Sequence, residues 1–230
     1  RDLAGLDPDE RARLGIAAQS VGLAEAAYAH ARSYAESREQ FGQAIKDMPA
    51  VYDMLLDMRM EIEAARALLY ECTWHVEVSK TLGRKVERGE EAGRETKAEV
   101  REATAMADLL TPMVKYYATE MVNRVTYNAI QVLGGSGYMK DYPLERFYRD
   151  ARITNIYEGT TQLQVVAAFP RVMKGVLDPH FAAFAGTEFP GLLGDAAEKI
   201  KTRIGVMKDC IQIFNETDSR EFTKIGRAHV

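Results

Sequence analysis

The 230-residue chain has only two cysteines, four histidines and one tryptophan. Cys72 and Cys210 stand far apart and lack metal-ligand spacing, so a reducing compartment is the expectation. His30, His75, His180 and His229 offer no pair at ligand spacing, and no metal site is expected. No apolar run approaches the ~18 residues of a membrane span. Basic residues are not in surplus either. The formal net charge is −4 and the pI about 5.7, which argues against a general nucleic-acid binder. Strand-like alternation of useful length is absent, and no GxGxxG occurs in a strand-to-helix context. The fold class expected is therefore all-α. No secretory signal is visible, and the expected location is the cytoplasm, or the mitochondrial matrix in a eukaryote.

What is present is a globular composition, 47% apolar and 28% charged, in a chain long enough for one large domain or two small ones. Asp7-Pro8-Asp9-Glu10 reads as a helix start. Leu14, Ala17, Ala18, Val21, Ala24, Tyr28 and Ala31 then carry an apolar stripe to about Ser37. Gly15, Ala18 and Gly22 keep part of that face small, for a packed helix or a flat ligand. Gly42 is read as ending the helix, with Arg38 and Phe41 at its end. A guanidinium fork suits phosphate and a Phe ring suits stacking, although by themselves the pair reads first as a surface arginine and an apolar cap. A second helix is expected after Asp47-Met48-Pro49, with Asp47 as cap. Its seam is Val51, Leu55, Met58, Ile62, Ala65, Leu69, Cys72 and Val76, which makes Cys72 a core residue. His75 reads as a structural histidine. Residues 83–102 are charged in both signs and read as a solvated connection and helix start. A third helix to about Leu133 buries Leu110, Val114, Tyr117, Met121, Val125 and Val132, contains Pro112, and stops at Gly134-Gly135. Further on, Pro170 is expected to break or bend a helix begun at Thr160. A last seam runs Leu193, Ala197, Ile200, Ile204, Met207, Ile211 and Phe214. That seam needs a partner.

Between these helices lies the stretch from Gln131 to Gln164, with two glycine-rich turns, a dense Arg/Asp/Glu segment and Glu158 in Ile-Tyr-Glu-Gly-Thr-Thr-Gln. A carboxylate before a helix is commonly a capping acid. The alternative is a general base facing a cleft, with Gly159 admitting a planar group and Thr160 and Gln162 supplying hydrogen bonds. Backbone N–H groups at 131–135 would form a second surface for phosphate, with Arg38 as countercharge. Together these point to a dinucleotide-like cofactor with a base beside it.

Three segments resemble the C-terminal half of the acyl-CoA dehydrogenase family: Arg13 to Gly22; Tyr34 to Gly42 with its Arg-x-x-Phe-Gly; and Gln131 to Gln164. The last carries QVLGG-x-G-Y, YP-x-E-R-x-x-RDAR-I and IYEGT-x-Q-x-Q in order. The resemblance covers roughly residues 5–175. It implies an up-and-down helical bundle over 1–175 and a C-terminal helical extension over 176–224. It also implies that the chain is part of a longer protein. Ile225–Val230 (IGRAHV) matches one reading frame of a common sequencing-adapter sequence and is expected to be an artefact.

By matched position, the resemblance implies that Glu158 is the base that removes the α-proton of an acyl-CoA thioester. FAD would take the β-hydrogen as hydride, leaving a trans-2-enoyl-CoA. The thioester carbonyl would be bound by a flavin ribityl hydroxyl and by the base residue's own N–H, stabilising an enolate-like transition state. Tyr157 and Arg13 would lie at the substrate. Ala12, where some members carry their base, cannot serve. Gly159, Thr160 and Gln162 would contact FAD near the base. Arg38, Phe41, Gln131, Gly134 and Gly135 would reach the FAD of a neighbouring subunit, implying a homodimer or homotetramer. An electron-transfer flavoprotein is the expected acceptor. Pro49 stands where a polar FAD contact is common, and residues 83–105 exceed the connection of compact members. An acyl-CoA oxidase, or a non-catalytic binding module of the same fold, would share these features.

Overall fold

The computed structural model describes residues 8–90 and 93–216, with side chains from residue 11 onward. Asp7 as a cap and the tail at 225–230 fall outside the described residues. The elements run α1 (Pro8–Ser37), a hairpin of β1 (Glu39–Gln40) and β2 (Gln43–Ala44), a 3-10 turn (Ile45–Asp47), α2 (Pro49–Glu87), α3 (Arg94–Leu133), α4 (Gly135–Tyr138), α5 (Leu144–Thr154), α6 (Thr161–Met173), α7 (Asp178–Gly186) and α8 (Leu192–Glu216). The class is all-α. The chain divides into two compact units, Arg1–Ala168 and Phe169–Val230, parting inside α6. The boundary expected from sequence lay at 175.

In the first unit α1, α2 and α3 pack on one another, and α5 lies against α1 and α3. The α2 seam is buried from Leu55 to Val76, with Val51 half-buried. Buried on α3 are Leu109, Leu110, Val114, Met121, Val122 and Val125. Each such side chain stabilises the bundle by roughly 1.5–3 kcal/mol when fully buried. Cys72 is fully buried, its Sγ 3.6 Å from Thr111 Oγ1. Around this core, Glu25 of α1 pairs with Arg59 and Arg66 of α2, and Glu61 of α2 with Arg124 of α3. These largely exposed pairs each contribute at most about 1 kcal/mol.

Local details correct several expectations. Gly42 does not end α1; the helix stops at Ser37, and Phe41 (φ 54°) and Gly42 (φ 80°) form the two-residue turn of the hairpin. Two successive positive φ values suit the right-handed twist of its strands. Asp47 is not the cap of α2: Met48 is, with no side-chain bond, and Pro49 takes the first helical position. The charged segment at 83–105 is mostly helix, because α2 runs on to Glu87 and α3 begins at Arg94. Solvated residues of mixed charge are good helix formers and need no buried face. Gly15 and Gly22 are exposed, with nothing within 4 Å of a Cβ built at either. Tyr117 is only half-buried. Pro170 lies within α6, which continues to Met173. Proline there removes one backbone bond without ending the helix.

The second unit differs. Among its described residues Ala197 alone is buried. Phe169 and Phe214 meet edge-on at 5.1 Å, and Phe184 and Phe189 lie 5.0 Å apart. The α8 seam is otherwise half-covered or open.

Candidate active site

Glu158 and Gly159 both adopt left-handed backbone, φ 53° and 87°. For glutamate this is an uncommon and strained state, held only where the surroundings impose it. Here the surroundings are two buried polar side chains. Lys115, on the core face of α3, donates from Nζ to the Gly159 carbonyl at 2.6 Å. Gln164, on the first turns of α6, donates from Nε2 to the carbonyls of Glu158 and Gly159 at 3.1 and 3.0 Å. A Cβ at Gly159 would stand 2.6 Å from Gln164 Nε2. Glycine at this position therefore admits the Gln164 amide and the positive φ.

The segment is tied down on both sides. Tyr157 donates its hydroxyl to Gln19 Oε1 of α1 at 3.0 Å. Glu120 of α3 accepts from Asn155 Nδ2 at 3.0 Å and Thr161 Oγ1 at 2.5 Å, fixing both flanks of the turn. Glu158 itself is exposed, and its carboxylate has no hydrogen-bond or ion-pair partner among the described residues. It caps no helix, since α6 begins at Thr161. Its surroundings carry both signs of charge. Burial, reinforced by the Arg13 guanidinium, pushes Lys115 below the ordinary lysine range, while Glu120 and Glu158 oppose that shift. Burial and then the Glu158 charge push the Tyr157 phenol up. Arg13 Nε and Gln164 Oε1 are buried and unpartnered. Arg13, Tyr157, Glu158 and Gly159 are thus gathered at one place. Thr160 and Gln162 follow on the exposed side.

Of the remaining candidates, Arg38 lies at a second place. Arg38 and Ser136 border an open depression of about 410 Å³ with Tyr34, Leu133 and Tyr142. Tyr34 and Ser136 hydroxyls lie 3.3 Å apart, and Tyr34 meets Tyr142 edge-on. Gly134 ends α3 at φ 60°, and its N–H is taken by the Gln131 carbonyl at 3.1 Å. The N–H surface expected at 131–135 therefore loses Gly134 as a donor. Gln131, Gly135 and Phe41 are exposed, Phe41 at 95%. The Arg38 guanidinium has no ion-pair partner among the described residues. Gln19 and Tyr34, the α1 anchors of the two patches, are about 22 Å apart at 1.5 Å per residue.

Sequence reasoning missed Lys115, Gln164, Glu120 and Gln19. A signal existed for the first. Thr111, Lys115, Thr119 and Thr126 recur at near-helical steps and are all buried, a polar line along a buried helix face. Among the described residues, no group of three or more His, Cys, Asp or Glu is placed to hold a metal. Nor is any described helix long and apolar enough to cross a membrane.

A family model described as "Acyl-CoA dehydrogenase, C-terminal domain" matches residues 10–169. The chain is 36% identical over 162 residues to the caffeyl-CoA reductase–Etf complex subunit CarC of Acetobacterium woodii, covering 70% of this chain and 36% of that protein. It is 37% identical over 162 residues to the mitochondrial short-chain specific acyl-CoA dehydrogenase of Bos taurus, covering 70% and 33%. Its fold superposes on butyryl-CoA dehydrogenase from Megasphaera elsdenii with a TM-score of 0.54 and 34% identity, covering 72% and 37%. The chain spans about a third of the length of the curated relatives it matches.

Proposed function

The chain belongs to the acyl-CoA dehydrogenase family, whose C-terminal domain it carries over residues 10–169, and we propose that it supplies the base for α,β-dehydrogenation of an acyl-CoA thioester to a trans-2-enoyl-CoA. Glu158 takes the α-proton. One observation carries this reading: an exposed carboxylate with no partner among the described residues stands on a turn whose peptide carbonyls are pinned from below. A base must be free at its oxygen and fixed at its backbone. Its N–H and carboxylate together would receive the thioester carbonyl and the departing proton. Tyr157 and Arg13 border the acyl group. A substrate that covers Glu158 would desolvate it and strengthen it as a base.

The residues present fit FAD. Arg13 Nε and Gln164 Oε1 are buried and unsatisfied beside the Glu158 turn, and Arg38 is free for a phosphate. FAD, when bound, supplies the acceptor for the β-hydrogen as hydride. Gly159, Thr160 and Gln162 would hold it near the base. Arg38, Phe41, Gln131, Gly134 and Gly135 would hold a second FAD, that of a neighbouring subunit. Two grips about 22 Å apart along one helix suit a homodimer or homotetramer. An electron-transfer flavoprotein is the acceptor proposed, in keeping with the Etf complex that the Acetobacterium relative's name describes. The chain spans about a third of its relatives' length, so the rest of the acyl pocket and the flavin seat are proposed to come from residues outside these 230, and turnover is expected only with them.

The test is anaerobic addition of an acyl-CoA panel to the full-length protein. Bleaching of the visible flavin band by one acyl-CoA supports the dehydrogenase half-reaction, and Glu158→Gln should abolish it with FAD still bound. Wild-type turnover in that variant would remove Glu158 as base. Arg38→Ala should lower flavin content or oligomer size, and unchanged values would end its assigned role.

A further inference from the structure

Lys115 is given no contact with substrate or cofactor above, yet it is the largest fully buried side chain among the described residues. It sits on α3 among Thr111, Thr119, Val114 and Ala118, all buried. An ammonium in such a place is costly unless it is bonded, and it donates to the carbonyl of Gly159. No carboxylate forms an ion pair with it among the described residues. If packing were its only task, an apolar side chain of similar length would do better. The charge is instead aimed at the peptide next to Glu158.

We infer that Lys115 is the positioning residue of Glu158: its buried ammonium holds the Gly159 carbonyl, sets the left-handed turn that presents the carboxylate, and places a positive charge beneath it. The inference rests on Glu158 being the base. The backbone of the turn needs such a holder. Glu158 is strained at φ 53°, and the strain persists only while both carbonyls are gripped. Gln164 grips both carbonyls and is neutral, whereas Lys115 grips that of Gly159 and is charged. The two donors therefore divide the work: Gln164 contributes geometry, and Lys115 contributes geometry and charge. The charged groups that act on Lys115 are Arg13 from α1, Glu120 on α3 and Glu158 itself, and Tyr157 in the turn feels the Glu158 charge. Glu120 opposes Lys115, whereas Arg13 adds to it. Removing Lys115 thus leaves Glu158 with Arg13 as the one cation of this group. The lowered proton affinity of Lys115 fits an ammonium held in a desolvated site beside a second cation.

The test uses the full-length holoenzyme and an acyl-CoA that bleaches it. Four variants are compared: Lys115→Met, Lys115→Gln, Gln164→Met and Glu158→Gln. Lys115→Met should lower kcat by about 10- to 100-fold with KM little changed, because a displaced base costs rate and not binding. The acid limb of its kcat/KM profile should move to higher pH, since a nearby cation has gone. Amide exchange across residues 156–160 should quicken, with flavin content unchanged. Lys115→Gln keeps a donor and loses the charge, so its acid limb should move while exchange stays near wild type. Gln164→Met should quicken exchange and leave the acid limb in place. Wild-type acid limbs and exchange in both Lys115 variants, with Glu158→Gln inactive, would overturn the role of Lys115 alone. A Glu158→Gln enzyme with wild-type turnover would overturn the base and its holder together.

Discussion

Along α2, three- and four-residue steps from Leu55 to Val76 run through buried positions throughout. Along α8 the same steps from Leu193 to Phe214 bury only Ala197, and leave Leu193 62% and Ile200 47% exposed. The two patterns are alike as sequence. The difference is that α2 meets α3 and α1 along its length, whereas α8 meets within its own unit the short α7 and, through Phe214, the ring of Phe169. Periodicity states which face a helix would bury. It does not say whether a surface of matching length exists to cover it.

Core truncation should show the contrast most strongly. Leu109→Ala or Met121→Ala in the bundle should cost about 2–5 kcal/mol, read from the denaturant midpoint, whereas Ile200→Ala or Val206→Ala in α8 should stay within about 0.5 kcal/mol. Equal losses in both units would mean that α8 is covered in solution. Native-state hydrogen exchange should rank the units the same way, with the highest protection in α3 and the lowest in α7 and α8. A smaller effect comes from the buried Lys115 ammonium. Its proton affinity is lowered on folding, so the folded chain releases that proton at lower pH than the unfolded chain. Between its folded value and the unfolded lysine value of about 10.4, the unfolded state binds more protons, and stability should rise with pH. Lys115→Met should remove that rise in a pH series of unfolding midpoints. The smallest effect should come from Val206→Ser on the open side of α8, which should leave the midpoint unchanged and improve solubility.

The candidate site was legible to the extent that it is local. Glu158, Gly159 and Tyr157 belong to one run of sequence, and Arg13 was reached through a motif near the other end of the unit. The structure brings them together and adds tertiary ties that the motif could not display. Gln19 holds Tyr157 from 138 residues away, and Lys115 holds Gly159 from 44. Gly42 was misassigned for a related reason. A glycine with positive φ suits a helix end or a hairpin turn, and the choice depended on whether Glu39 and Gln40 found strand partners in Gln43 and Ala44. At Pro170, helix formation on both sides prevailed over the one lost bond.

The sequence by itself determined the all-α class, the three long helices and their buried faces, and the segment that carries the carboxylate. These follow from apolar spacing, glycine stops and a contiguous motif, which are local. Only the tertiary structure decided that a lysine from the middle of α3 underlies the Glu158 turn, that this turn and the Arg38 depression lie at separate places along α1, and that the seam of α8 stays open. Each of these depends on which distant surfaces meet, and the energy of a buried ammonium or an uncovered isoleucine is set by that meeting and not by the residues beside it in the chain.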